Sequence, residues 1–157
     1  MLVVYHLGDW HAGLTMLQSI MTIFWDGLLE PLKSLLSWKK IWKDARKCFY
    51  QGSRLVLFVY EELVSVLMHS YVSDNLTGLH TQFTGSNEQD KSEGNFVCFV
   101  SKSFSTWRDM LSDSDNNWLK MCSLYLRMSR DFFLFLSAYR KGDYIALKQG
   151  YKTFSPV

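Results

Sequence analysis

The sequence is poor in the residues that mark disulfide-rich, zinc-binding or disordered proteins. Its three cysteines, Cys48, Cys98 and Cys122, are odd in number, widely spaced and outside any CxxC pair, so they indicate neither a disulfide framework nor a zinc site. Only two prolines occur in 157 residues, and the hydrophobic content of 48% is typical of packed globular proteins. We therefore expect one domain spanning residues 1–157 in a reducing, intracellular compartment, the nucleus or the cytoplasm.

Strong net charge, a targeting signal and a long apolar run are also missing. The formal net charge of +2 is too small to indicate nucleic acid by itself. The N-terminus, MLVVYHLGD, lacks the basic region and the cleavage site of a signal peptide. The uncharged run from Trp10 to Trp25 is interrupted by polar residues and is shorter than the roughly twenty apolar residues that a membrane span needs. These features predict a soluble protein with no membrane partner.

No complete catalytic motif is present, and the sharpest chemical pair is Asp9 with His11. The sequence has no GxSxG, Walker, GxGxxG or HExxH motif, which leaves hydrolase and nucleotide-binding functions without support. The apolar, β-branched run Leu2–Leu7 predicts a short buried strand closed by Gly8, and a helix is predicted from about Ala12. The pair therefore lies at a predicted strand-to-helix junction, where ligand and metal sites gather in α/β sheets.

Two interpretations of this pair are open. Asp9 can act as a magnesium ligand through its hard oxygens, with His11 orienting or assisting it, and both are then candidate catalytic residues. Alternatively, Asp9 caps the following helix and His11 is a packed polar residue. The residues alone favour the second interpretation, because two-metal chemistry needs about three carboxylates around the ions.

After the predicted strand, apolar residues recur at spacings of three and four, which predicts a mainly α fold built as a helical array. Pro31 predicts a break near Gly27, followed by a restart. Ser37 is predicted to cap a short helix that ends before Gly52. The run Leu55–Met68 is apolar nearly all round and is predicted to be a central helix.

The second half of the chain is predicted to contain a loop and three further helices. Residues 84–94 contain no apolar side chain and predict a mobile surface loop. Residues 96–111 are predicted to be helical, although their first half also fits a strand. A long helix is predicted from Trp118 to about Arg140, with Gly142 ending it and Asp143 capping a last helix.

Two basic faces are candidate nucleic-acid-binding surfaces, since cations interleaved with aromatic rings can neutralise phosphates. Acidic residues interrupt both faces, and solvated faces of amphipathic helices have the same appearance. The first face contains Lys39, Lys40, Lys43, Arg46 and Lys47, and the second contains Lys120, Arg127, Arg130 and Lys141.

Two segments carry a family resemblance. GDWHAGLTMLQSIMTIFWDGLLEPL and DFFLFLSAYRKGDYIALKQGYKTFSPV resemble a conserved domain of uncharacterised multi-copy proteins of invertebrates and fungi that derive from transposable elements. The positions that match are Gly8 to His11 at the start, then Arg140, Gly142, Asp143 and Tyr144, and finally Phe154 and Pro156. The resemblance covers both ends of the chain and, loosely, the helical middle.

The resemblance implies an RNase H-like core of the kind found in DDE-type transposases, interrupted by a helical insertion. Asp9 would match the second catalytic acid, and the other acids would lie outside this chain. The chain would then be a non-catalytic fragment with nucleic-acid-related ancestry. In isolation the chain would need no cofactor, and magnesium is a candidate only in an intact parent protein. Its expected partners are DNA, bound weakly and without sequence preference, or the rest of the parent chain.

A helical protein-interaction module is the alternative function. Such a module would dock a protein partner through exposed aromatic side chains, so the exposure of Trp38, Trp42 and Trp107 discriminates between the two functions.

Overall fold

The chain folds into six α-helices within the residues that the structure, a computed structural model, describes, which are residues 2–85 and 93–153. This part of the chain contains no strand, so the prediction of a mainly α fold is confirmed. The predicted loop at 84–94 lies mostly outside the described residues. The helices are α1 (Leu2–Phe24), α2 (Glu30–Leu35), α3 (Ala45–Gly85), α4 (Glu93–Met110), α5 (Asn117–Lys141) and α6 (Tyr144–Thr153), with a π-helical turn at Trp25–Leu29 and a 3-10 turn at Leu111–Asp113.

The prediction of an N-terminal strand at Leu2–Leu7 is wrong, because these residues form the first turns of α1. A short apolar run does not by itself distinguish a strand from a buried helix. Here the run continues without a break into the helical spacing of Leu14, Leu17 and Met21, and adding residues to an existing helix costs far less than starting a new one. Asp9 therefore lies within a helix and not at a strand-to-helix junction.

The prediction of a helix from Trp38 to a point before Gly52 is also wrong. Residues 36–44 are not helical, whereas α3 begins at Ala45 and passes through Gly52. Gly52 lies inside α3 and does not end it. The missing side chain instead lets α1 approach closely, since a Cβ atom at this position would lie 3.0 Å from Met21 Sδ. The predicted interruption near Gly27 takes the form of the π-helical turn, and helix α2 follows it directly.

The other predicted helices are present, but the run Leu55–Met68 within α3 is not buried throughout, because Leu57 and Val66 are exposed at 38% and 63%. Residues 96–110 are helical throughout, and the long helix spans Asn117–Lys141. Gly142 ends α5 with a φ of 67°, and the Asp143 carboxylate accepts a hydrogen bond from Ala146 N–H at 3.1 Å, which caps α6.

The described contacts divide the chain into two compact units. The first unit contains Met1–Glu61 and Tyr125–Val157, and the second contains Glu62–Leu124. The prediction that residues 1–157 form one domain stays a prediction.

The core of the first unit centres on Tyr125, which is fully buried. Its ring packs edge-on against Phe24 with the ring centroids 5.0 Å apart, and its hydroxyl donates a hydrogen bond to Val56 O at 2.9 Å. This one side chain of α5 therefore contacts both α1 and α3. The second unit has its own aromatic cluster, in which Tyr71 lies 5.8 Å from Phe104 and 5.1 Å from Trp107.

Two helical stretches are long and apolar enough to cross a membrane by length and composition alone. The most apolar 18-residue window of Trp10–Leu35 has a mean hydropathy of 1.2 and is 56% buried, and that of Ala45–Gly85 has a mean hydropathy of 1.5 and is 28% buried. Core helices of soluble proteins satisfy the same criteria, so the prediction of no membrane partner stays a prediction.

Two helix ends share one capping geometry but differ in the residue that adopts it. Ser37 (φ 56°) follows α2, and Trp38 N–H donates to Lys33 O at 3.0 Å. Gly142 follows α5, and Asp143 N–H donates to Ala138 O at 2.9 Å. Both ends are Schellman motifs, in which a left-handed residue follows the helix. Glycine adopts this conformation without strain, whereas serine does not.

Opposite substitutions at these two caps should change stability in opposite directions. We expect Ser37→Gly to raise the free energy of unfolding by about 0.5–1 kcal/mol, because it removes left-handed strain and part of that gain is offset by the more flexible unfolded chain. We expect Gly142→Ala to lower it by about 1–2 kcal/mol. Urea denaturation measures both, and a stabilising Gly142→Ala would contradict the assignment.

Burial raises the pKa of Tyr125 above its ordinary value of 10.0. Above that pH the unfolded chain loses this proton while the folded chain keeps it, so the free energy of unfolding falls by about 1.4 kcal/mol per pH unit from this group. Tyr125→Phe should cost about 1 kcal/mol at pH 7 through the lost hydrogen bond. It should also remove this part of the alkaline destabilisation. Denaturation curves of both proteins from pH 7 to 11 test this, and a stability difference that does not change with pH would refute it.

Candidate functional site

Asp9 and His11 both lie on α1, and the described residues do not bring them into a catalytic group. The structure describes the backbone of Asp9 but not its side chain. His11 is exposed, and its ring packs edge-on against Trp10 with centroids 5.3 Å apart. Among the described residues, no group of three or more His, Cys, Asp or Glu side chains is placed to hold a metal ion. The catalytic and metal assignments of Asp9 and His11 stay predictions.

His11 does share an open groove with two of the predicted basic residues. The groove has a volume of about 1130 Å³ and runs along one face of α1, with Lys43, Asp44 and Arg46 beside it. Its charges are balanced. Lys43 Nζ lies 2.9 Å from Asp26 Oδ2, and Arg46 Nε lies 3.1 Å from Asp44 Oδ1. The hydrogen bond from Arg46 holds the pKa of Asp44 below its usual value, which keeps that carboxylate charged. The groove thus has little net attraction for an anion.

The non-helical segment 36–44, which we call the basic loop, is fixed at several points. Gln18 of α1 accepts a hydrogen bond from Ala45 N–H at 2.7 Å and donates one to Lys43 O at 3.1 Å. Ile41 is buried in the core. Cys48 Sγ lies 3.1 Å from Trp42 O, at a kink where Cys48 leaves helical geometry. These contacts hold the loop against α1 and the first turns of α3.

The basic loop forms one wall of a small pocket that contains three cations. Lys39 and Lys40 line it from the loop, and Arg54 lines it from α3. Trp38 completes the wall, with its ring 6.0 Å from that of Phe58. The pocket has a volume of about 250 Å³, and no carboxylate lines it.

A second pocket lies on the other side of Arg54, between α3 and α5. It has a volume of about 300 Å³, and the cations that line it are Arg54, Arg140 and Lys141. No carboxylate lines it. Because Arg54 lines both pockets, the cations form a continuous surface within the first unit. We call this surface the basic strip, and it consists of Lys39, Lys40, Arg54, Arg140 and Lys141.

The remaining predicted cations lie outside the basic strip. Lys47 is exposed on the first turn of α3, and Arg127 is exposed on α5. Arg130 Nε lies 3.3 Å from Asp131 Oδ1, which neutralises it locally. Lys120 is exposed and belongs to the second unit. The nucleic-acid role of these residues stays a prediction.

Sequence reasoning missed Arg54 and Arg140 as site residues. The predicted end of a helix before Gly52 leaves Arg54 outside the helix that carries the basic run. The spacing of four between Tyr50 and Arg54 could have placed both on one helix face, and the structure puts the Arg54 guanidinium carbon 5.9 Å from the Tyr50 ring centroid. The approach of Arg140 to Arg54 depends on the packing of α5 on α3, for which the sequence gives no local signal.

Comparison with known proteins finds no matching family model, no matching curated protein and no matching solved structure.

Gln18 should be important for holding the basic loop in place. We expect Gln18→Ala to lower the free energy of unfolding by about 1–3 kcal/mol, because it leaves the Ala45 N–H and the Lys43 carbonyl without their partner. Ser19→Ala is the matched control on the same helix. The Ser19 hydroxyl bonds only to Thr15 O, one turn back, so its loss should cost less than about 0.5 kcal/mol.

Urea denaturation of the two variants and amide hydrogen exchange at Ala45 measure this difference. Equal stability of the variants, with unchanged exchange at Ala45, would show that the loop is held by other contacts.

Proposed function

We propose that this chain is a helical module that binds the phosphate backbone of nucleic acid through the basic strip and is not catalytic in isolation. One observation carries the proposal: Arg54 joins two pockets that together contain five cations and no carboxylate. In the described structure, none of these five cations lies in an ion pair with a carboxylate. Lys141 also lines a neighbouring pocket with Asp131 and Asp143, so the charge available to an external anion is chiefly that of the other four cations.

The small net charge of +2 does not weaken this proposal, because binding depends on local charge. Each phosphate that a lysine or arginine neutralises releases condensed counterions, which makes the affinity fall steeply with salt. A strip of five cations supports a handful of such contacts. Binding should accordingly be weak at physiological salt and indifferent to base sequence.

The origin of the chain in a transposable element is supported only by the resemblance of its two end segments to that family. A role for Asp9 and His11 in catalysis, with magnesium, belongs to this proposal solely for an intact parent protein that supplies further acids. An intracellular location, in the nucleus or the cytoplasm, follows from a nucleic-acid partner and stays part of the proposal.

The alternative, a helical protein-interaction module, has weaker support. Of the three tryptophans that discriminate between the functions, only Trp42 is exposed, at 50%. Trp38 and Trp107 are half-buried and pack against other rings. Among these three side chains, the exposed one, Trp42, is by itself too small to form an apolar patch of the size that marks a docking surface.

Replacing three cations of the basic strip tests the proposed function. We expect the triple variant Lys39→Gln, Lys40→Gln, Arg54→Gln to bind a fluorescent oligonucleotide more weakly and to reduce the logarithmic salt slope by about two to three units. The control triple is Lys33→Gln, Lys102→Gln, Lys148→Gln, which removes the same charge from sites outside the basic strip and outside both predicted basic faces.

Fluorescence anisotropy over a range of salt concentrations measures both slopes. The control should keep the slope of the unmodified protein. If the unmodified protein binds no oligonucleotide at low salt, or if the two triple variants lose the same salt slope, the proposed function is wrong. Capture of a protein partner that is lost in Trp42→Ala would then favour the alternative.

A further inference from the structure

Aromatic rings lie among the cations of the basic strip, and this arrangement bears on which nucleic acid it binds. Tyr50 lines the second pocket and is 66% exposed, although it is a large and partly apolar side chain. The Arg54 guanidinium lies over its ring at 5.9 Å. Trp38 lines the first pocket beside Lys39 and Lys40. Each pocket therefore combines cations with a ring.

The second pocket also has an apolar interior. Phe49, Leu57, Phe133 and Leu136 line it, while Arg54, Arg140 and Lys141 supply its charge. A phosphate group gains nothing from an apolar wall, since phosphates bind through charge and hydrogen bonds. A flat, apolar nucleobase gains from such a wall and from an exposed ring. The pocket thus has the chemistry to hold a base and its phosphate together.

Single strands and duplexes differ in what they offer to this surface. The bases of a duplex are stacked on one another, so their faces are closed to a protein ring unless the duplex is deformed. A single strand exposes the faces of its bases, and single-strand-binding proteins combine a cationic groove with aromatic stacking platforms. The basic strip has both components.

We propose that the ligand of the basic strip is single-stranded nucleic acid, with a base stacked on Tyr50 and the adjoining phosphates bound by Arg54, Arg140 and Lys141. This inference rests on the proposed function and specifies its substrate class. Because stacking on a ring does not depend on the sugar, DNA and RNA strands share this chemistry.

Anisotropy titrations with oligothymidylate, oligouridylate and a duplex test the inference, each of about 16 nucleotides or base pairs, the upper end of the site sizes of single-strand-binding domains. We expect one or both single strands to bind more tightly than the duplex. Tyr50→Leu should weaken single-strand binding by about 5- to 150-fold, because it removes the ring on which one base stacks. It should leave the salt slope unchanged, because it removes no charge. Comparing oligothymidylate with oligouridylate shows whether DNA or RNA is preferred.

Two control variants separate stacking from other effects. Tyr50→Phe keeps the ring and should bind as the unmodified protein does. If Tyr50→Phe loses as much affinity as Tyr50→Leu, the hydroxyl and not the ring makes the contact, and the stacking inference is wrong. Trp118→Leu removes an exposed ring of the second unit and should leave the affinity unchanged.

The failure of this inference is distinguishable from the failure of the proposed function. If the duplex binds as tightly as the single strands and Tyr50→Leu binds like the unmodified protein, while the basic-strip triple still loses salt slope, the single-strand inference is overturned and the proposed function stands. If no oligonucleotide binds at low salt, both are overturned.

Discussion

The attachment of the basic loop to α1 is the contact on which the basic strip depends. The Gln18 side chain bonds to the backbone on both sides of Asp44, at Lys43 O and at Ala45 N–H, and so fixes the point where the loop ends and α3 begins. The first three residues of the loop donate backbone hydrogen bonds back to α2, whereas the residues that follow are not helical and their backbone groups need other partners. Because Lys39 and Lys40 belong to this loop, their position next to Arg54 follows from it.

The distribution of charge separates two surfaces that resemble each other in sequence. Lys43 and Arg46 lie in the run that also contains Lys39 and Lys40, yet the structure pairs them with Asp26 and Asp44. These pairs are at the surface, where ion pairs contribute little to stability, and their effect is to cancel local charge. Lys39 and Lys40 instead line a pocket without a carboxylate. Pairing within the protein therefore decides which part of the basic run can attract an anion.

Helical periodicity predicted α4, α5 and α6 correctly, since their apolar spacing and end signals such as Gly142 are local. Local patterns failed where tertiary packing decides. The run Leu2–Leu7 is short enough to fit a strand or a helix, and Gly52 has the local character of a helix end although it lies inside α3, at a point of close approach to Met21. The sequence indicates the basic residues of the loop, because they are adjacent along the chain. Their connection through Arg54 to Arg140 on one surface depends on the contact between α3 and α5, which the sequence does not show.

Nuclear magnetic resonance mapping of the bound oligonucleotide on the isotopically labelled chain, which has a mass of 18.4 kDa, tests the central claim most directly. The account predicts that amide shifts change at Lys39, Lys40, Arg54 and Arg140 when an oligonucleotide is added at low salt. Shift changes confined to the second unit, around Lys120, or to the groove beside His11, would contradict it.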